Sequence, residues 1–512
     1  MGGGVYKSRV KNSRRNVISG AIRQIVSIGL QFVLRTTIIY ILGAEYQGLN
    51  GLFTSILTIL NLSDLGFSAA VTFILYKPIA EGNQEEINSI LAYLKKVYYI
   101  IGTVVLAIGL IIMPFLPRLI SGNYPADINI YVLFSIYLIN SVISYFLFAY
   151  NNALLTAYQR EDIVSNSFTI TLFISRSIQI ILLFIYRNYY FYAIMLPLGS
   201  IFNNLLVQYY SKKYFPQSIP SGIIDRKIKN ELNSQVKAVF VDRISDVARN
   251  SFDNIVLSSM LGLVAVTVYD NYYYIYSAII GFMGVLVHGV KASIGNSLVA
   301  ESVEKNKKDL DTFTFIFMWI AGWFTVCLFS LYQPFMEIWM KGNTELILSF
   351  GNMTLFCVYF YSMSMTYSKN AYLEAKGLFK ECQKWYVSEA IMNLLLNILL
   401  GYLFGITGIL IATILTILVL NFFGGKKVLF DNYFQDGRKK YFAKHILYAC
   451  VTVICSVITW LLCSVVNFNS ILGMICKIAI CTIIPNILFW LIYHRMDVFK
   501  RAKATIQTTI KK

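Results

Sequence analysis

Histidine is almost missing from this chain. Three residues, at 288, 445 and 494, are spread over 512 positions, too far apart to suggest a histidine metal site or a catalytic triad. Charge is scarce too, at 14% against roughly a quarter in soluble proteins, while 57% of residues are hydrophobic. The eight cysteines form no CxxC pair and fall mostly inside apolar runs. They read as small core residues, with neither a disulfide framework nor a metal site visible. No Walker loop, HExxH or GxSxG occurs, so the sequence offers no ATPase or hydrolase chemistry, and neither an enzyme nor a cofactor is expected. The basic start KSRVKNSRR is not followed by an apolar core with a small-residue cleavage site, which argues against a removed signal peptide.

What the chain does have is apolar runs. Fourteen of spanning length follow one another from 16–42 to 469–493, which predicts an all-α polytopic membrane protein of about 14 transmembrane helices. The loops give its orientation. With a cytoplasmic N-terminus, 34 Lys and Arg fall on the inner side and three (Arg118, Arg187 and Lys341) on the outer. That is a strong positive-inside pattern, with both termini cytoplasmic. It also accounts for the +18 net charge. The basic residues are dispersed over every inner loop, which fits anionic lipid headgroups and not nucleic acid.

The seventh run carries the most information. Its stretch QVKAVFVDRISDVARNSFDNIVLSSML, 235–261, holds Asp242, Arg243, Asp246, Arg249 and Asp253. Each of these facing lipid would cost roughly 2.5–3.5 kcal/mol. The segment is therefore either a surface helix or a span lining a wet cavity. Removing it from the count reverses the charge bias of every later loop, which favours the span.

An internal repeat supports the same count. Leu42-Gly43 matches Leu261-Gly262, Ala80-Glu81 matches Ala300-Glu301, and Pro114-Phe115 matches Pro334-Phe335. Gly122-Asn123 matches Gly342-Asn343, and Asn152-Ala153 matches Asn370-Ala371, all at offsets of 218 to 220. The predicted organisation is an N-lobe of six spans (1–211), a basic cytoplasmic linker (212–235), a C-lobe of six spans (236–430), and two further spans with a basic tail (431–512). Six spans per repeat make the repeats parallel. By the offset, the charged seventh helix corresponds to the first, which carries Arg23, Gln24, Gln31 and Arg35. Two equivalent polar helices across a pseudo-two-fold axis would make a V-shaped, hydrated central cavity.

The candidate substrate-binding residues are Arg23, Arg35, Arg176, Arg243 and Arg249, with Lys291 toward the inner end of the eighth span. Guanidinium groups present planar, paired donors to phosphate oxygens. The competing reading is internal pairing: Arg249 lies between Asp246 and Asp253 at helical spacing, and Lys291 could be a snorkelling lysine. Asp64, Asp242, Asp246, Asp253 and Asp270 are candidates to carry H+ or Na+, or to act as counter-ions to arginine. Tyr269, Tyr272, Tyr273 and Tyr276 share a helix face that could stack on sugar rings or form an interfacial belt.

Two stretches carry a family resemblance. LGAEYQGLNGLFTSILTILNLSDLGFSAAVTFILYKPIAEGNQEEI resembles the first-to-second-helix region of bacterial polysaccharide repeat-unit flippases, the Wzx-type polysaccharide-transporter branch of the multidrug/oligosaccharidyl-lipid/polysaccharide (MOP) exporter superfamily. SFDNIVLSSMLGLVAVTVYDNYYYI is similar to their seventh-to-eighth-helix region. The resemblance covers roughly 10 to 430. It implies two six-helix bundles working by alternating access in the bacterial cytoplasmic membrane. It further implies undecaprenyl-pyrophosphate-linked oligosaccharide as substrate, and polysaccharide polymerase machinery as a partner in capsule, exopolysaccharide or cell-wall polysaccharide assembly. The arginines above would meet the lipid pyrophosphate. They are assigned by position on their helices, since RISDVARN is more charged than the branch pattern. Alternatives on the same fold are a cation-coupled multidrug exporter and a lipid II flippase. A scramblase or scaffold, and a membrane glycosyltransferase, are further competitors; the short outer loops speak against the last.

Overall fold

A computed structural model describes residues 2–61, 67–466 and 471–510; the side chains at 2–14, 69, 235, 237–246, 248–250, 288, 292, 471, 509 and 510 lie outside the description. Among the described residues the chain is helical and has no strand. It divides into two compact units, Met1–Thr267 and Val268–Lys512.

The first unit contains α1 (Gly2–Ile41), α2 (Ala44–Leu60), α3 (Phe67–Glu81), α4 (Gln84–Ile112), α5 (Ile130–Phe146), α6 (Tyr150–Ala157), α7 (Glu161–Tyr186), α8 (Tyr189–Tyr214) and α9 (Arg226–Leu261). Side-chain caps start several of them: Asn83 accepts from the Glu86 amide, Asn129 from Tyr131 and Val132, Asn188 from Tyr190, and Asp225 from Lys227. The core joins α2, α4 and α5. Leu49, Leu52, Phe53 and Ile56 recur at helical spacing on one buried face of α2, and the Phe53 ring meets Phe134 edge-on at 5.2 Å. The described part of the charged helix α9 packs on α2, with Asn254 Nδ2 donating to Ser55 Oγ at 3.1 Å.

The second unit begins in the first turns of α10 (Leu263–Ala300) and continues through α11 (Val303–Met340), α12 (Phe350–Ser364), α13 (Tyr367–Lys376), α14 (Phe379–Phe404), α15 (Ile406–Thr416), α16 (Gly425–Leu429), α17 (Arg438–Ser464), α18 (Ile471–Tyr493) and α19 (Asp497–Ile510). A π-helical stretch, Ile417–Gly424, joins α15 to α16. Its core is aromatic: Tyr272 against Phe356 and Tyr332, and Tyr276 against Tyr359.

Among the described residues, eleven helices are long and apolar enough to cross a membrane, and a twelfth forms if the bent pair α5–α6, broken by 51°, is counted as one. Of the fourteen predicted runs, the other two are 50–76, which falls on α2 and α3 with 62–66 undescribed between them, and 236–261, which is the charged α9. The outward faces carry exposed Ile181, Phe184, Leu399 and Leu491, the inverse of a water-soluble surface. This is a multi-pass membrane protein.

Two matched pairs of the sequence repeat, counted by repeat and not by compact unit (Gly43 and Gly262 both lie in the first unit), have a conformational reason. Gly43 and Gly262, after α1 and α9, have φ of 124° and 86°; Gly122 and Gly342 have φ of 78° and 95°. A side chain rarely adopts this left-handed half of backbone space, so glycine stands at the same bend in both sequence repeats.

Candidate functional site

At Arg15 and Asn16, α1 is fixed to the start of α7. Arg15 Nε and Arg160 Nε stand 3.0 and 3.1 Å from the two oxygens of the buried Asp162 carboxylate, while Asn16 accepts from the Asp162 amide and donates to the Gln159 carbonyl. This clamp runs α1, with its polar residues, alongside α7. Beyond the clamp the two helices stay packed together, and Arg23 of α1 meets Phe168 of α7.

Further along α7, a cavity of about 300 Å³ opens between α5, α7 and α8. Its lining is polar for a region of spanning helices: Asn140 and Ser144 from α5, Thr171, Ser175, Arg176 and Gln179 from α7, and Gly199, Ser200 and Asn203 from α8. Gly199 lets α8 come close to α7 at this wall, because a Cβ there would stand 2.7 Å from Ser175 Oγ. Hydrogen bonds hold much of the wall. Ser200 Oγ donates to Asn140 Oδ1 at 2.8 Å, and Gln179 Nε2 donates to the Tyr192 carbonyl at 2.9 Å.

Arg176 is the charged group of this cavity. Its Nη1 donates to Gln179 Oε1 at 2.9 Å, so a neutral amide orients the guanidinium without neutralising it. Arg23 approaches from α1, its guanidinium carbon 4.3 Å from the centre of the Phe168 ring, and Phe168 is itself part of the lining. Two lining residues, Thr171 and Asn203, keep a buried side-chain oxygen with no hydrogen-bond partner among the described residues. Buried polar groups are normally paired, so oxygens left over in a roomy polar cavity are places for water or a ligand. The arrangement suits a polyanionic group held by guanidinium charge and ringed by amides and hydroxyls.

The other predicted residues are placed as follows. Arg35 is buried in α1, at 7% exposure, and Asp253 is buried in α9. Lys291 forms an ion pair with Glu374 in the second unit. Asp270, Tyr269, Tyr272 and Tyr276 are buried there, the tyrosine rings packed among Phe356, Tyr332 and Tyr359, while Tyr273 is partly exposed. Asp64 and the side chains of Asp242, Arg243, Asp246 and Arg249 lie outside the described residues. The structure thus places Arg176 in the cavity and Arg23 against Phe168 of its wall, and joins to Arg176 the amides and hydroxyls of α5 and α8 that sequence reasoning passed over.

Sequence reasoning also misplaced two lysines. Lys369 and Lys426 belong to the basic residues counted as inner-loop charges, yet Lys369 is fully buried and Lys426 nearly so, at 0% and 6% exposure. Lys369 lies on α13, a short helix whose polar sequence YSKNAYLEAK reads as a loop. The signal that could have found its surroundings is Glu389, Asn393 and Asn397 on α14, one polar residue every four within an apolar run, all with no exposed surface.

Residues 13–291 match the family described as polysaccharide biosynthesis protein. The chain belongs to that family. No curated protein matches it by sequence. Its fold is similar to those of solved MOP-type proteins. The lipid II flippase MurJ in an inward closed conformation aligns at TM-score 0.67 and 14% identity, over 94% of this chain and 98% of that one. An inward-facing multidrug resistance MATE family transporter of the MOP superfamily aligns at 0.61 and 14%, over 81% and 98%. The eukaryotic MATE transporter AtDTX14 aligns at 0.61 and 12%, over 85% and 99%. At such identities the likeness is one of fold.

Proposed function

We propose that this protein is a flippase. It exports undecaprenyl-pyrophosphate-linked oligosaccharide repeat units across a bacterial cytoplasmic membrane by alternating access, for capsule, exopolysaccharide or cell-wall polysaccharide assembly. The observation that carries this reading is Arg176 in its polar cavity, with Arg23 beside the same wall. A guanidinium surplus among spanning helices suits a pyrophosphate headgroup and disfavours the organic cations of a drug exporter. The membership in a polysaccharide biosynthesis family points to the same substrate class.

In this cycle the pyrophosphate meets Arg176 and Arg23 while the sugars take up the amides and hydroxyls of α5, α7 and α8. The polyprenyl tail stays in lipid. Arg35, Arg243 and Arg249 add positive potential along the path, and Lys291 holds an inner-end ion pair. With both termini cytoplasmic, a substrate carrying negative charge leaves an inside-negative cell with a gain of roughly 2.3 kcal/mol per charge per 100 mV. Asp253 and Asp270, with Asp64, Asp242 and Asp246, are the carboxylates through which an H+ or Na+ gradient could add to this. The polymerase of the same pathway takes up the product on the outer face.

Ligand-dependent thermal stabilisation of the purified protein in nanodiscs tests the substrate class. Undecaprenyl-pyrophosphate oligosaccharide should raise the melting temperature, and Arg176→Gln should remove most of that rise. Stabilisation by lipid II alone would reassign the substrate to the peptidoglycan precursor. Stabilisation by a cationic dye and by neither lipid would favour a multidrug exporter.

A further inference from the structure

The second unit holds a charge cluster that the proposed export path does not use. Lys369, on α13, has no exposed surface, and its ammonium donates to Asn370 Oδ1 at 2.5 Å and to Asn421 Oδ1 at 2.9 Å. The amide of Asn421 in turn donates through Nδ2 to Glu389 Oε2 at 3.0 Å, and Glu389 is equally buried. Ammonium and carboxylate therefore do not touch in this bond chain. The Asn421 amide lies between them with its oxygen toward the cation and its nitrogen toward the anion, the orientation that both charges favour.

The backbone is built around this group. Asn421 sits in the π-helical stretch, the kind of helix irregularity found often at functional sites. Gly424 and Gly425 follow it. A Cβ on Gly425 would stand 2.7 Å from Lys369 Nζ, and one on Gly424 would stand 2.4 Å from the Trp385 ring of α14. Two adjacent glycines thus let the chain close onto the ammonium and onto the helix that carries Glu389.

The repeat sharpens the point. At the 218-residue offset of Asn152 and Asn370, the residues Lys369, Glu389 and Asn421 correspond to Asn151, Thr171 and Asn203. In the first unit Thr171 and Asn203 line the open polar cavity with unpaired oxygens. In the second unit the corresponding positions hold a cation between amide oxygens, backed by a carboxylate.

Amide and carboxylate oxygens are the donors that hold a hard cation, and a single carboxylate behind two amide oxygens balances a single positive charge. We propose that the second unit contains a monovalent-cation site between α13, α14 and the π-helical stretch, and that its resident cation is the ammonium of Lys369. A carboxylate that stays ionised when buried in a membrane protein needs a positive partner. Here the chain supplies it covalently, so this site takes up no sodium ion. The inference concerns charge balance within one unit and does not depend on which substrate the protein exports.

Chemical rescue tests it. Lys369→Ala removes the tethered cation and leaves the space of a propylammonium ion beside Asn421. Melting of the full-length protein in nanodiscs would be followed against n-propylammonium, sodium and choline chlorides. The expected result is a lowered melting temperature for Lys369→Ala, restored saturably by n-propylammonium and not by choline, with wild type unmoved by any of the three. Lys369→Ala/Glu389→Gln, which removes both charges, should melt higher than the single variant and ignore propylammonium. If the single variant does not fold, folding of the double variant supports the site by itself. Failure of both to fold would mean that the lysine stem is needed for packing, and would overturn the proposal. A single variant as stable as wild type, an equal propylammonium response in the double variant, or sodium-dependent stabilisation of wild type abolished by Glu389→Gln would also overturn it.

Discussion

The Arg23 guanidinium lies over the face of the Phe168 ring, 4.3 Å from its centre, and this contact links α1 to the cavity wall of α7. Such a pair is worth about 1 kcal/mol when partly shielded from water. Replacing Phe168 by Leu keeps the apolar bulk and removes the ring. We expect the apparent KM for a lipid-linked pyrophosphate substrate to rise about fivefold, with the maximal rate nearly unchanged and Phe168→Trp close to wild type. An unchanged KM in Phe168→Leu would remove Arg23 from the site.

Two glycines should respond differently to the same change. Gly199→Ala brings a methyl group to 2.7 Å from Ser175 Oγ, which forces a shift costing about 1–3 kcal/mol. Ser175→Ala takes that oxygen away, so the double variant should recover most of the loss. Gly48→Ala meets the Leu263 carbonyl oxygen at 2.2 Å, a backbone atom that no side-chain change relieves. Its melting temperature should fall further and stay low. Thermal melting of the three single variants and the Gly199→Ala/Ser175→Ala pair decides this.

Asp162 is the buried anion of the α1–α7 clamp, shared by Arg15 and Arg160. Asp162→Asn keeps the size and removes the charge from two guanidinium groups, a loss of about 1.5–3 kcal/mol by the measure of hydrogen bonds to charged groups. The effect should be local. Hydrogen exchange of α1 between 15 and 30 should quicken, and exchange in α17 and α18 should not change. Uniform quickening throughout the protein would mean a general loss of fold.

The positive-inside orientation makes its own prediction. In a cysteine-free background, Lys341→Cys and Arg187→Cys should react with a membrane-impermeant maleimide added outside intact cells. Arg438→Cys and Lys212→Cys should react only after permeabilisation. The reverse pattern would invert the proposed direction of transport.

Much of the fold was legible because the bilayer imposes a simple rule on sequence: long apolar runs. Repeat glycines such as Gly43 and Gly262 were legible because a left-handed bend admits little else. Arg176 could be found as an isolated charge in an apolar run. Its surroundings could not, because Asn140, Ser200 and Asn203 come from other helices and only packing brings them together. Lys369 misled for the opposite reason. Its neighbours in sequence are polar enough to read as a loop, while the groups that make its burial tolerable, Asn421 and Glu389, lie 52 and 20 residues away in the chain.

The central claim is that this protein moves a pyrophosphate-linked glycolipid by way of Arg176. Its most direct test is leaflet transfer in proteoliposomes under an inside-negative potential, with a labelled undecaprenyl-pyrophosphate oligosaccharide placed in the leaflet matching the cytoplasmic face. Wild type should transfer the label to the other leaflet, and Arg176→Gln, shown to be folded by its melting curve, should slow that transfer at least tenfold. Equal transfer by the two proteins, or none by wild type above empty liposomes, would contradict the account.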